Sequence, residues 1–261
     1  MTTATDPRYA YTALGDSWAM LRRNLVHVTR SPDTMLMALA LPIMLMLLFV
    51  YVFGGAIDTG SAYIDYVVPG IVLLCAAFGS STTAVSVSTD MTDGIIDRFR
   101  TLPIAPSAVV NGHVLASVVR NLITTAVVVG VALLLGFRPT TDPLRWLGTI
   151  ALVALFVLAL SYVSTALGLL AANPEAAGGF TFAILFLPYV SSAFVPTDTM
   201  PTWLHWFAAN QPVTPIIETV RGLLTGTPIG DSAWWAVGWC GAITVVGFVA
   251  ATTLYRRRTS H

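Results

Sequence analysis

The sequence contains no lysine; every one of its 13 basic Lys+Arg residues is arginine. A Walker-A loop needs a lysine on the β/γ-phosphates, so the chain holds no P-loop ATPase site. Lysine Schiff-base chemistry is excluded for the same reason. Charge of either sign is scarce. Charged residues make up 10 % of the 261 residues and the net charge is +0, where a soluble domain carries about 25 %. There are two cysteines, Cys75 and Cys240, both inside apolar stretches, which leaves no disulfide framework and no zinc pattern. HExxH, GxSxG and Cys–His arrangements are missing. The histidines His27, His113, His205 and His261 are scattered and read as interfacial or exposed. No catalytic residue and no metal site is expected. Residues 1–30 carry acids and arginines without an early apolar run, so they are not expected to be a cleavable signal peptide.

What is present is apolar. Hydrophobic residues make up 56 % and the mean hydropathy is +0.77. Disorder is excluded, and the composition predicts an all-α integral membrane protein. Bilayer-spanning helices need about 20 apolar residues. Charge-free runs predict six spans, near 34–57, 66–89, 115–137, 146–172, 176–196 and 232–255. They follow a short tail, 1–16. A further run, Thr199 to Ile217, holds Pro201, His205, Asn210, Gln211, Pro212 and Pro215. Unsatisfied backbone in lipid is costly, so this run is not expected to span. Two readings of 197–231 stand: a re-entrant hairpin before the last span, or a plain surface loop. Arginine placement sets orientation. Arg22, Arg23, Arg30, Arg98, Arg100 and Arg256 to Arg258 share one side, against Arg138, Arg145 and Arg221 on the other. Both termini are therefore expected in the cytoplasm, with Arg120 snorkelling inward from near the start of the third span.

Four stretches carry candidate function. Around residues 17–30, Trp18, Leu21, Leu25 and Val28 recur at helical spacing, opposite Arg22, Arg23 and Arg30. This predicts an amphipathic helix in the inner interface, either a simple anchor or a gate touching a cytoplasmic partner. The inner loop 90–107 places Asp90, Asp93 and Asp97 on one helical face, with Ile95, Ile96, Phe99 and Leu102 as an apolar surface; Pro103 and Pro106 stop the helix. It is either a solvated connector or a docking knob for a soluble protein. In the second span, Gly79, Ser80, Ser81, Thr82, Thr83, Ser86, Ser88 and Thr89 crowd the inner half. Close helix packing and a polar pathway lining, with Ser80, Thr83 and Ser86, are both open. In the fifth, Phe186 and Tyr189 flank Pro188, as part of a pliable aromatic wall or as core. In the outer region, Glu218 and Arg221 are i, i+3 on a short helix, a spacing at which the two can pair.

The run Asp93, Gly94, Asp97-Arg98-Phe99-Arg100, then Leu102-Pro103-Ile104 resembles the loop after the second span in ABC-2 type permeases. Arg30-Ser31-Pro32, Pro42 and Phe53-Gly54-Gly55 resemble that family's first span. Met200-Pro201-Thr202-Trp203-Leu204, Asn210-Gln211-Pro212 and Glu218-Thr219-Val220-Arg221-Gly222 are similar to its signature before the last span. Gln211 departs from the pattern, in which Asn and Pro are often adjacent. The resemblance covers about residues 15–258, and daunorubicin-resistance-type drug exporters are the nearest subgroup. It implies a non-catalytic permease subunit in the cytoplasmic membrane. Asp90, Gly94, Asp97, Arg98, Phe99, Arg100 and Pro103 would form a cytoplasmic coupling helix. Pro201, Trp203, Asn210, Pro212, Glu218 and Arg221 would form the re-entrant region. The implied partners are two copies of an ABC ATP-binding subunit, carrying ATP and Mg on their own chains, and a second permease copy or a paralogue. No cofactor on this chain and no nucleic acid are implied. The cargo implied is a hydrophobic or amphipathic drug or lipid, with a polysaccharide or lipid-linked glycan as the alternative. An ion-coupled secondary transporter is disfavoured, because the spans hold no acidic residue in their central parts.

Overall fold

The computed structural model describes residues 32–57, 62–94 and 106–259. The interfacial-helix residues Trp18, Arg22, Arg23 and Arg30 lie outside the described residues, as do Asp97, Arg98, Phe99, Arg100 and Pro103 of the inner loop. The described chain is helical. In order it forms α1 (Pro32–Leu47), a wider π-helical turn (Leu48–Phe53), α2 (Tyr63–Thr92), α3 (Pro106–Leu134), α4 (Pro143–Leu170), α5 (Pro174–Phe186), two short 3₁₀ turns (Pro188–Val190 and Thr197–Thr199), α6 (Thr202–Asn210), α7 (Val213–Thr225) and α8 (Ser232–Thr259).

Local sequence sets the ends. Asp142 accepts from the Leu144 amide at 2.9 Å and Asn173 from the Ala176 amide at 2.8 Å, each with proline at the first helical position. α7 closes on Gly226 at φ +80°, the left-handed cap that glycine takes most easily. Four helices are long and apolar enough to cross a membrane: α2, the Val109–Leu134 part of α3, α4, and Ser232–Arg258 within α8; Leu39–Phe53 and Pro174–Val190 are shorter apolar helices. The chain is a multi-pass membrane protein.

α2 is the central post and touches α1, α3, α4, α5 and α7. Its Val67, Val68, Ile71 and Leu74 meet Val153, Phe156 and Val157 of α4 and Ile216, Ile217 and Val220 of α7 in one buried core. A second cluster at the other end joins Val87, Val109, Val110, Ala166, Leu169, Ala251 and Tyr255. The outward sides of α1 and α8 stay apolar, with Met44, Tyr51, Trp234, Val245 and Val246 all more than half exposed. In water such a surface would be an aggregation hazard; against hydrocarbon it is the stable side.

Two helix bounds differ from the charge-free runs. The third helix starts at Pro106 rather than near 115, because its first turns tolerate Asn111 and His113. That puts Arg120 near the middle of the helix, so it does not snorkel from the helix start. The 176–196 run is not one helix: α5 ends at Phe186, and Pro188, which lacks an amide proton, begins an irregular stretch through Val195.

α2 and α4 touch backbone to backbone. A Cβ on Gly168 would collide with the Ala84 carbonyl, whereas Gly130 faces open space. We expect Gly168→Val to destabilise by about 1–3 kcal/mol, and Gly130→Ala to be neutral or slightly stabilising. Thermal melting in detergent would reveal the difference.

Candidate functional site

Two polar constellations lie inside this apolar frame. The first joins the middles of α2 and α3. Arg120 donates to the Gly79 carbonyl at 3.0 Å and to Thr82 Oγ1 at 2.7 Å, with Thr83 Oγ1 at 3.4 Å. Among the described residues no carboxylate stands within ion-pair distance of it. A permanent cation is thus held by neutral oxygens alone. One turn away, Ser117 Oγ is a hub, 2.8 Å from Thr83 Oγ1 and 2.9 Å from Ser161 Oγ of α4, with Asn121 Nδ2 at 3.2 Å. Gly79 makes this possible: Asn121 Oδ1 lies where its Cβ would stand. That oxygen is buried with no hydrogen-bond partner among the described residues. Of the expected lining residues, Ser80 and Thr83 are buried in this seam, Ser80 donating to the Ala76 carbonyl at 2.8 Å, while Ser86 is exposed.

The second constellation secures the irregular stretch after α5. Four of its carbonyls are taken by side chains from elsewhere. Gln211 Nε2 donates to Leu187 O at 3.0 Å and Val190 O at 2.9 Å. Arg221 donates to Ser192 O, and Tyr63 donates its hydroxyl to Phe194 O at 2.9 Å. Arg221 also donates to Tyr66 O at 3.2 Å and lies 3.8 Å above the Tyr66 ring, a cation–π contact. Glu218 and Arg221, which the spacing allows to pair, do not form an ion pair; Glu218 accepts from Ser232 Oγ at 3.1 Å. Gln211, the residue that departs from the family pattern, is a buried anchor of this site. Pro212 leads directly into α7, whose Val213, Ile216, Ile217, Val220 and Leu224 are buried in the main core. Pro201 precedes α6; Trp203 and Asn210 on that helix are exposed, and Asn210 Nδ2 donates to Trp206 O at 2.7 Å.

Phe186 and Tyr189 join a run of ring contacts. It passes from Phe182 to Phe186 (5.3 Å), Tyr189 (6.3 Å), Phe194 (5.5 Å) and Phe49 (4.2 Å) of the π-helical turn. Of these, Phe182, Phe186 and Tyr189 are exposed and Phe194 is buried. At the other end of the bundle, Asp90 sits near the end of α2, and Gly94 follows that end at φ +67°, a turn suited to a residue without a Cβ. His113, expected at a surface, is buried and pairs with Asp90. Sequence reasoning missed Ser117, Asn121 and Tyr66 as well; an arginine inside an apolar helix was the one available signal for the first constellation. Among the described residues no three His, Cys, Asp or Glu side chains gather as a metal site would require.

Comparison with known proteins identifies the family. The ABC-2 type transporter family profile matches residues 16–225. The chain is 32 % identical over 217 residues, 81 % of its length and 75 % of the relative's, to the daunorubicin resistance ABC transporter permease protein DrrB1 of Streptomyces coeruleorubidus. It is 28 % identical over 195 residues, 75 % of its length and 71 % of the relative's, to the probable doxorubicin resistance ABC transporter permease protein DrrC of Mycobacterium tuberculosis. To the doxorubicin resistance permease DrrB of that organism it is 24 % identical over 224 residues, 80 % and 74 % of the two lengths.

The carbonyl anchors generate a prediction. Gln211→Leu keeps the bulk and removes both donated bonds. Leu187 O keeps the Val190 amide as a donor at 3.2 Å, but Val190 O loses the Gln211 donor, a loss of about 1–3 kcal/mol, so the segment after Phe186 should open more readily. Chymotryptic nicking at Tyr189 and Phe194 should quicken in the variant and stay slow in the parent.

Proposed function

We propose, since this chain belongs to the ABC-2 type transporter family, that it is the membrane half of an ATP-driven exporter for hydrophobic or amphipathic compounds of the drug class. A permease subunit of this family is a non-catalytic transmembrane component and works with an ATP-binding subunit. The observation that carries the export reading is the set of daunorubicin- and doxorubicin-resistance permeases matched along most of both chains. The absence of lysine agrees with it, because ATP must be hydrolysed on a partner chain.

In this reading the two shorter apolar helices complete six spans, with both termini cytoplasmic. Two ATP-binding subunits dock beneath two permease copies, through the 90–107 loop. The α6–α7 hairpin enters the outer half of the membrane. Burial of α7 in the core of the spans supports this, as does the exposed aromatic face of Trp203, Trp206 and Phe207 on α6, since such rings settle at the lipid–water boundary. The exposed rings Phe182, Phe186 and Tyr189 and the hydroxyl of Ser86 are the pathway-facing groups. Closure of the ATP-binding subunits drives the loops together and tilts the spans, so that access alternates between the two sides.

Phe99→Ala and Arg98→Glu should each lower permease-stimulated ATP hydrolysis by about tenfold or more, equivalent to about 1.4 kcal/mol of docking. Co-purification with the ATP-binding subunit and hydrolysis assays in vesicles would check it. Undiminished stimulation in both variants would rule out docking through this loop.

A further inference from the structure

The cytoplasmic ends of α2, α3 and α4 are joined by polar contacts that packing alone does not require. His113 Nε2 of α3 lies 3.3 Å from Asp90 Oδ2 of α2, and the two side chains are 6 % and 13 % exposed. Two residues earlier and facing another neighbour, Asn111 Oδ1 accepts from the Tyr162 hydroxyl of α4 at 3.0 Å. The Tyr162 ring then stands edge-on to Phe248 of α8, at 5.4 Å and 89°. The first turns of α3 therefore hold α2 with one side chain and α4 with another, and α4 holds α8. The small apolar cluster of Val87, Val109, Ala166, Ala251 and Tyr255 fills the space among the same four helices. Asp90 and His113 also stand at the two sides of the inner loop: Asp90 opens it on α2 and His113 follows it on α3. Neutral packing would hold these ends together at lower desolvation cost. A largely buried contact between an imidazole and a carboxylate adds a fixed geometry between two particular helices.

We infer that Asp90, His113, Asn111 and Tyr162 are positioning residues, forming a clasp that makes the inner ends of α2, α3, α4 and α8 shift as one body when the loop between Asp90 and Ser107 is pushed. The inference rests on the proposed docking of the ATP-binding subunit on that loop. The clasp converts a push on one connector into a movement shared by four helices. Without it, α2 and α3 yield separately and the push dissipates locally.

The test uses the whole complex and needs no cargo. A bimane on Leu144→Cys, at the exposed start of α4 at its opposite end, reports movement there, and Cys75 and Cys240 are buried away from the label. Tyr162→Phe removes one hydroxyl and His113→Gln removes the imidazole that faces Asp90. Both should retain the ATP-binding subunit and its basal hydrolysis, while the ATP-induced bimane change falls about fivefold or more. The exchanged pair Asp90→His/His113→Asp should regain it. If His113→Gln does not fold, Tyr162→Phe decides alone. A full ATP-induced change in both single variants, or none in the parent complex, would overturn the clasp. Failure of the parent chain to retain an ATP-binding subunit would instead overturn the docking reading, and the clasp with it.

Discussion

A carbonyl buried away from water must find a donor, and this requirement organises the molecule around the break after α5. Pro188 ends the regular ladder, and the chain runs through Ser191, Ser192, Ala193 and Phe194 in buried, irregular backbone. Buried backbone of this kind has to be satisfied from within the protein. The donors come from two regions of the sequence: Tyr63 at the start of α2, and Gln211 and Arg221 just before and within α7. Bringing them together is what seats α7 in the core. The α6–α7 segment is therefore a structural partner of α2 and of the stretch after α5, although its prolines and its polar residues look in sequence like those of a loop.

The Arg120 seam solves the opposite problem with the same means. There the cation is the group needing partners, and α2 supplies oxygens without spending a carboxylate. A hydroxyl and a backbone carbonyl share the charge, while Thr82 also bonds the Gly79 carbonyl at 2.8 Å. The arrangement depends on a position without a side chain: any larger residue at 79 would expel Asn121 and open the contact between the two helices.

Much of this was legible in the sequence, for stated reasons. Long charge-free runs report the lipid environment directly, so α2, α4 and α8 were readable from composition alone. The crowd of Ser and Thr in the second span was readable as polar, but periodicity gives a face and not a neighbour. That Thr83 would meet Ser117 and Ser161 depends on tertiary packing. Counting from charge to charge also misplaced Arg120, because a helix can carry a cation at its middle when its neighbour offers oxygens. The i, i+3 spacing of Glu218 and Arg221 placed them correctly as neighbours on a turn, yet both found partners outside it. Gln211 read as an irregularity in a motif, and only the bonds to Leu187 and Val190 explain it.

The guanidinium of Arg120 cannot lose its proton under physiological conditions, and it is fastened to both α2 and α3 near their midpoints. Any stroke that shifts this helix pair in depth carries an elementary charge through part of the electric field across the membrane. A complete crossing corresponds to about 2.3 kcal/mol per 100 mV, so a partial stroke is worth a proportionate fraction. Were this helix pair to shift in depth, that energy would add to or subtract from the cost of the shift.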